Sequence, residues 1–215
     1  MNWTTKKITT IAVLSAMAMV VTLLIRFPIV PMVSFLAYEP KDVLIVIGGF
    51  IYGPMASFLM SVVCSFLEIM FRGGTILDVL MNVISTCAFV CPAALFYQHM
   101  HTKKGAIIGL IIGTIATTIS MTIWNYIVTP VYFNMPRQAV VDILLPGIVP
   151  FNLIKAGANA FLTMLLYKPI VKFFRHHHMV EKDSLKQPLK TGSIIAITFL
   201  AVSFVIVVLI HKGII

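Results

Sequence analysis

Charge is what this sequence has least of. Only 11% of its 215 residues are Asp, Glu, Lys or Arg, against 60% hydrophobic residues and a mean hydropathy of +1.02. A globular domain carries about a quarter charged residues to cover its surface, so no stretch of this chain can fold as a water-exposed domain. The period-2 alternation of barrel strands is absent as well, and the apolar runs are long and unbroken. Inside lipid every backbone N–H and C=O must be paired within the protein, which leaves helices. Catalytic signatures are also missing. Without a GxxxxGK[ST] loop the chain does not hydrolyse ATP unaided, and no HExxH, GxSxG or paired-Asp motif accompanies the spans, so neither enzyme chemistry nor a bound cofactor is expected. Net charge is +9. The Lys and Arg lie between apolar spans rather than on a basic surface interleaved with aromatics, which excludes nucleic acid. Cysteine numbers only three, and Cys64, Cys87 and Cys91 all fall inside apolar runs as small buried hydrophobes. Cys87 and Cys91 lack the flanking His or acid of a metal site. His176-His177-His178 sits in a basic linker and reads as a solvated run.

What is there reads as helices crossing a bilayer, each needing about 20 apolar residues. A first span covers Ile8 to Ile25, after Lys6 and Lys7. Ala16-Met17-Ala18 mimics a signal-cleavage site but falls mid-span, so the helix is read as uncleaved. The segment from Arg26 to Asp42 holds Pro28, Pro31 and Pro40 and the cluster Glu39, Lys41, Asp42. It is too polar to span and too apolar for a free linker, which predicts an ordered cap loop. Val43 to Met70 is long for one span and short for two, and Gly53-Pro54 interrupts it; two shortened helices are expected, because proline cannot continue a helix without losing a hydrogen bond. After the loop Arg72-Gly73-Gly74-Thr75, a fourth span runs from Val79 to Tyr97, then a basic turn from His99 to Gly105. A fifth runs from Ala106 to Val128, stopped by Pro130. A connection from Val131 to Pro150 leads to a sixth span, Phe151 to Tyr167. The polar stretch Lys168 to Lys190 precedes a last apolar segment, Ile194 to Ile210. With the N-terminus cytoplasmic, ten basic residues face inward (Lys6, Lys7, Lys103, Lys104, Lys168, Lys172, Arg175, Lys182, Lys186, Lys190) and five outward (Arg26, Lys41, Arg72, Arg137, Lys212), with Lys155 inside a span. That asymmetry fixes the orientation and supports seven crossings.

In this topology the polar residues gather at the outer ends. Glu68 ends the third helix, Asp78 and Asn82 open the fourth, Asn125 ends the fifth, and Asn152 and Lys155 start the sixth. The cap loop brings Tyr38, Glu39 and Asp42 to the same side. Ionisable groups at membrane depth persist where they pair or line a polar cavity. Five elements delivering them to one level point to an outward-opening pocket for a polar, aromatic-sized molecule. The competing reading is structural: Glu68 or Asp78 pairing with Lys155 or Arg72, and asparagines bonding across helices. Tyr126 and Tyr132 are read as interfacial anchors. Small residues form a second pattern. Gly105, Gly109 and Gly113 are read as an internal packing face, while the Ala12 and Ala16 face could meet this chain or another.

Three stretches carry a family resemblance: Phe35-Leu36-Ala37-Tyr38-Glu39-Pro40-Lys41-Asp42-Val43, Asn125-Tyr126-Ile127-Val128-Thr129-Pro130-Val131-Tyr132, and Pro150-Phe151-Asn152-Leu153-Ile154-Lys155. With Gly53-Pro54 and Met81-Asn82, the chain from Lys6 to Phe174 resembles the riboflavin-binding S components of energy-coupling-factor (ECF) vitamin transporters. The resemblance implies an all-α integral membrane protein with a six-helix core over residues 1–175. Beyond it a basic cytoplasmic linker (176–193) and an extra C-terminal transmembrane helix (194–215) are expected. It implies capture of riboflavin from outside, in the membrane of a prokaryotic cell. Tyr38, Glu39, Glu68, Asn82, Asn125, Asn152 and Lys155 become the substrate-binding set, and Ala12 and Ala16 the face toward a transmembrane coupling subunit that works with two cytoplasmic ATPases. Where many members carry a Lys-Asn pair in the third helix, this chain has Cys64-Ser65. The readings that compete are an S component for another vitamin such as thiamine, a membrane scaffold or assembly protein with no small-molecule ligand, and an ion-coupled transporter acting alone.

Overall fold

A computed structural model describes residues 3–177 and 179. Nearly all of the expected linker and the whole expected C-terminal helix lie outside the described residues. Within them, helix α1 spans Thr5–Leu24, α2 Lys41–Tyr52, α3 Pro54–Arg72, α4 Ile76–Met100, α5 Lys103–Tyr132, α6 Arg137–Ile143 and α7 Val149–His176. The starts are written in the sequence. Thr4 accepts from the Lys7 N–H, and Thr102 accepts from the Gly105 N–H, so each caps a helix whose first amides have no partner in the helix. Thr75 and Asp78 form a reciprocal capping box at α4. Pro54 opens α3, where its missing N–H costs nothing.

Among the described residues, five helical segments are long and apolar enough to cross a membrane: α1, α3, α4, α5 and the stretch from Arg137 to Phe174. Helix α2 is different. At 12 residues it reaches about 18 Å, short of a hydrocarbon core about 30 Å thick. Every one of its residues is buried. Its sequence, apolar on all sides, is that of a helix enclosed by others. The break at Gly53, whose φ of +93° suits glycine, turns the chain directly into α3.

The boundaries differ from the expected ones in three places. Pro130 does not stop the fifth helix; it lies inside α5, which continues to Tyr132. The ring removes only the bond to the Tyr126 carbonyl, and the ladder resumes where the Phe133 N–H meets the Thr129 carbonyl at 3.0 Å. The expected connection Val131–Pro150 holds α6 and a π-helical turn, Leu144–Ile148, that runs into α7. The turn absorbs Pro146 and Pro150 by letting the Val149 N–H reach back to the Leu144 carbonyl. Finally, α7 passes Pro169 and ends at His176 rather than Tyr167, because Val171 and Phe174 still pack into the core.

The glycine face packs inside the bundle, as expected. A Cβ on Gly109 would lie 2.7 Å from the Ala93 carbonyl oxygen, and one on Gly113 2.3 Å from that of Phe89. Backbone-to-backbone contact of α5 on α4 requires hydrogen at both positions. Gly113→Ala is therefore predicted to lower stability by about 1–3 kcal/mol, the overpacking cost outweighing alanine's better helix propensity. Thermal unfolding in detergent measures the shift.

Candidate functional site

The ends of α3, α4, α5 and α7 that meet the loop between α1 and α2 enclose, with that loop, a cavity of about 330 Å³. Ligand sites run from about 300 to 1,000 Å³ and combine apolar walls with a few convergent polar groups. Here Phe35, Trp124 and Phe151 supply aromatic wall, Met81, Met121 and Val128 aliphatic wall, and Glu39, Glu68, Asn82, Asn125, Asn152 and Lys155 the polar groups.

The loop is held by its own backbone. Phe27 and Tyr38 pair as a single antiparallel bridge, with the Tyr38 N–H on the Phe27 carbonyl at 2.8 Å, and their rings pack at 5.5 Å. That pairing sets Glu39 inward, into a buried ion network. Glu39 accepts from Arg72 Nη1 at 2.8 Å and pairs with Arg26 Nε at 3.2 Å and Lys41 Nζ at 3.2 Å. Glu68 pairs with Arg72 at 3.0 Å and with Lys41 through its other oxygen. Arg72 also donates to the Thr22 carbonyl at the end of α1, one of the orphan acceptors every helix leaves. Lys41 is fully buried and reaches Asn82 Oδ1 at 3.3 Å. Burial pushes the Glu39 carboxyl up, but Lys41, Lys155 and Arg26 outweigh that and hold it at about 2, below the ordinary 4.5.

A second polar chain lies beneath. Thr86 donates to Asp42 at 2.9 Å, Asn159 donates to the other Asp42 oxygen at 3.2 Å, and Tyr38 donates to Asn159 Oδ1 at 3.0 Å. It ties α2, α4, α7 and the loop together. Burial and the nearby Asp42 charge raise the Tyr38 phenol above its ordinary value.

Of the seven residues expected to bind substrate, Glu39, Glu68, Asn82, Asn125, Asn152 and Lys155 line this one cavity. Tyr38 does not. Its hydroxyl is spent on Asn159, and the ring is buried beside the cavity rather than in its wall. Asn125 donates to the Met121 carbonyl at 2.7 Å and accepts from Thr129 at 2.9 Å; Asn152 donates to the Ile148 carbonyl at 2.8 Å. Lys155 is half-buried and makes no hydrogen bond or ion pair with a described residue. Two positions do more than expected. Tyr132, read as an interfacial anchor, lines the cavity and donates to Asp78 at 3.0 Å, which its place on the last turn of a continuous α5 makes feasible. Lys41, expected among the loop charges on this side, is in addition fully buried, because a lysine that opens a helix with no polar face has nowhere to go but inward.

Fold and cavity together are those of a helical membrane protein that can enclose a small, partly polar, partly flat molecule. The chain belongs to the family of ECF transporter substrate-specific components, whose family model matches residues 6–167. It is 34% identical over 176 residues to the riboflavin transporter RibU of Staphylococcus aureus (strain TCH60), covering 79% of this chain and 93% of that one. It is 29% identical over 187 residues to the riboflavin transporter FmnP of Bacillus subtilis (strain 168), covering 81% and 98%. A solved S component of a bacterial ECF transporter superposes with a TM-score of 0.69 at 32% identity, over 79% of this chain and 98% of that one. These relatives are transporters, not enzymes, and this chain is a membrane protein of their kind.

The depressed Glu39 carboxyl has a consequence for stability. Its ionised form is favoured in the fold, so its contribution is fully present above about pH 4.5 and is lost as pH falls through 4.5 toward 2. The melting-temperature advantage of the wild type over Glu39→Gln should hold steady from neutrality to about pH 5 and shrink below it. A constant difference down to pH 3, on the order of a full unit below the usual carboxylate value, contradicts the assignment.

Proposed function

We propose that this protein is a riboflavin-binding S component that captures the vitamin from the extracellular side and passes it inward with ATP-driven partner subunits. The observation that carries the reading is the composition of the cavity wall. A flavin is a flat, largely apolar ring system with a uracil-like edge and a polyhydroxylated tail. Aromatic and methionine surfaces suit the ring faces, while Asn82, Asn125 and Asn152 supply both donors and acceptors for edge and tail. Lys155 brings a cation that acts on Glu39 at a distance and makes no hydrogen bond or close ion pair with a described residue. The names of the relatives from S. aureus and B. subtilis support the same ligand.

Membership of the ECF family supports delivery through a transmembrane coupling subunit driven by two cytoplasmic ATPases, this chain having no phosphate-binding loop of its own. The N-terminus is cytoplasmic, as the distribution of Lys and Arg favours. Ala12 and Ala16 are exposed one turn apart on α1, which suits them to close helix contact with the coupling subunit.

Titration of the detergent-purified protein with riboflavin, read by flavin and Trp124 fluorescence, tests the ligand. Saturable, near-stoichiometric binding without ATP or partners is expected. Asn125→Ala combined with Lys155→Ala should weaken it by tenfold or more, each lost contact being worth about 1–3 kcal/mol. Normal binding by that double variant contradicts the site, and no binding by folded wild type contradicts the ligand.

A further inference from the structure

Lys41 touches the cavity only through other residues. Its ammonium is fully buried and absent from the cavity wall, yet it contacts three groups that form the wall: Glu39, Glu68 and Asn82. An ammonium has three N–H donors and no acceptor, so whatever faces it must be an acceptor. That rule removes the usual ambiguity of a carboxamide, whose two ends look alike. The end of Asn82 that meets Lys41 has to be its oxygen, 3.3 Å away. The NH2 end is thereby turned from the ammonium, and it makes no hydrogen bond to any described residue. Asn82 itself is half-buried in the cavity wall.

We propose that Lys41 is a positioning residue for ligand specificity: by holding Asn82 through its oxygen, it presents the Asn82 NH2 as a donor to an acceptor atom of the ligand, a carbonyl oxygen of the flavin edge. This role rests on the riboflavin reading above. It makes the site selective at that point for an acceptor. A ligand offering an N–H there meets a second donor and leaves two buried hydrogens opposed. Asn125 and Asn152 are held the other way round, each giving its NH2 to a backbone carbonyl, of Met121 and Ile148 respectively.

The test is a cycle of variants of the full chain in a Glu68→Gln background, so that removing the ammonium does not leave an extra negative charge. Asn82→Ala, Lys41→Met and their combination are compared in that background for riboflavin affinity and for the infrared carbonyl stretches of the bound flavin. If Lys41 acts through Asn82, each change lowers affinity by about tenfold and the combination by no more than the larger of the two. Both also move the same carbonyl band to higher wavenumber, because a hydrogen bond to that oxygen is lost in each. Losses that multiply, or a band that moves for Asn82→Ala but not for Lys41→Met, overturn the proposal. Should the Lys41→Met variant fail to fold, Asn82→Asp in the wild-type background decides. Its carboxylate keeps an oxygen toward Lys41 and puts an acceptor where the donor was, so the same band must shift and affinity must fall by about tenfold or more. Unchanged binding overturns the proposal. Failure of wild type to bind riboflavin removes the ligand assignment and this role together, whereas normal binding by all the variants removes the role alone.

Discussion

An ammonium ion with no access to water needs compensation from every direction, and the half of this protein that holds the cavity is arranged around that need. Removing one member of a buried ion pair typically costs about 3–5 kcal/mol, because the partner is left charged in a medium that cannot solvate it. Lys41 is such a group. Its neighbours come from three places in the chain: Glu39 from the loop, Glu68 from α3 and Asn82 from α4. Arg72 and Arg26 then balance the two carboxylates from the far side. Satisfying one charge therefore fixes where the loop closes, how α3 ends and how α4 begins.

The opposite requirement governs the rest of the bundle. Where α4 and α5 cross at Gly109 and Gly113, contact is made by removing side chains altogether. Helix α2 is enclosed by its neighbours, with Gly48 and Gly49 admitting Met60 and Ser57 of α3. The apolar half thus packs at backbone distance with little freedom, while the half that holds the cavity is organised by charges and carboxamides. A cavity can exist in that half because the side chains there are long and anchored at their tips, leaving space between them.

Much of this was legible in the sequence. Hydropathy located the spans, Gly53-Pro54 marked the α2–α3 turn, and the gathering of Glu68, Asn82, Asn125, Asn152 and Lys155 at one end anticipated the cavity wall. What was not legible depended on three-dimensional context. Pro130 looks like a stop signal, yet near a helix end it sacrifices one bond and the helix goes on, carrying Tyr132 to Asp78. Tyr38 has the composition of a ligand-stacking residue, and only the position of Asn159, 121 residues away, shows that its hydroxyl is already engaged. The burial of Lys41 could have been read from the unbroken apolar run that follows it, since α2 has no polar face on which to leave a charge.

The central claim is that the ion network and the carboxamides frame one ligand site beneath the loop. A structure of the full chain with riboflavin bound tests it most directly. The account predicts flavin density within hydrogen-bonding reach of Asn125, Asn152 and Lys155, with Lys41 still joined to Glu39, Glu68 and Asn82. Flavin bound elsewhere, or bound in this cavity only after Lys41 has left its carboxylates, would contradict it.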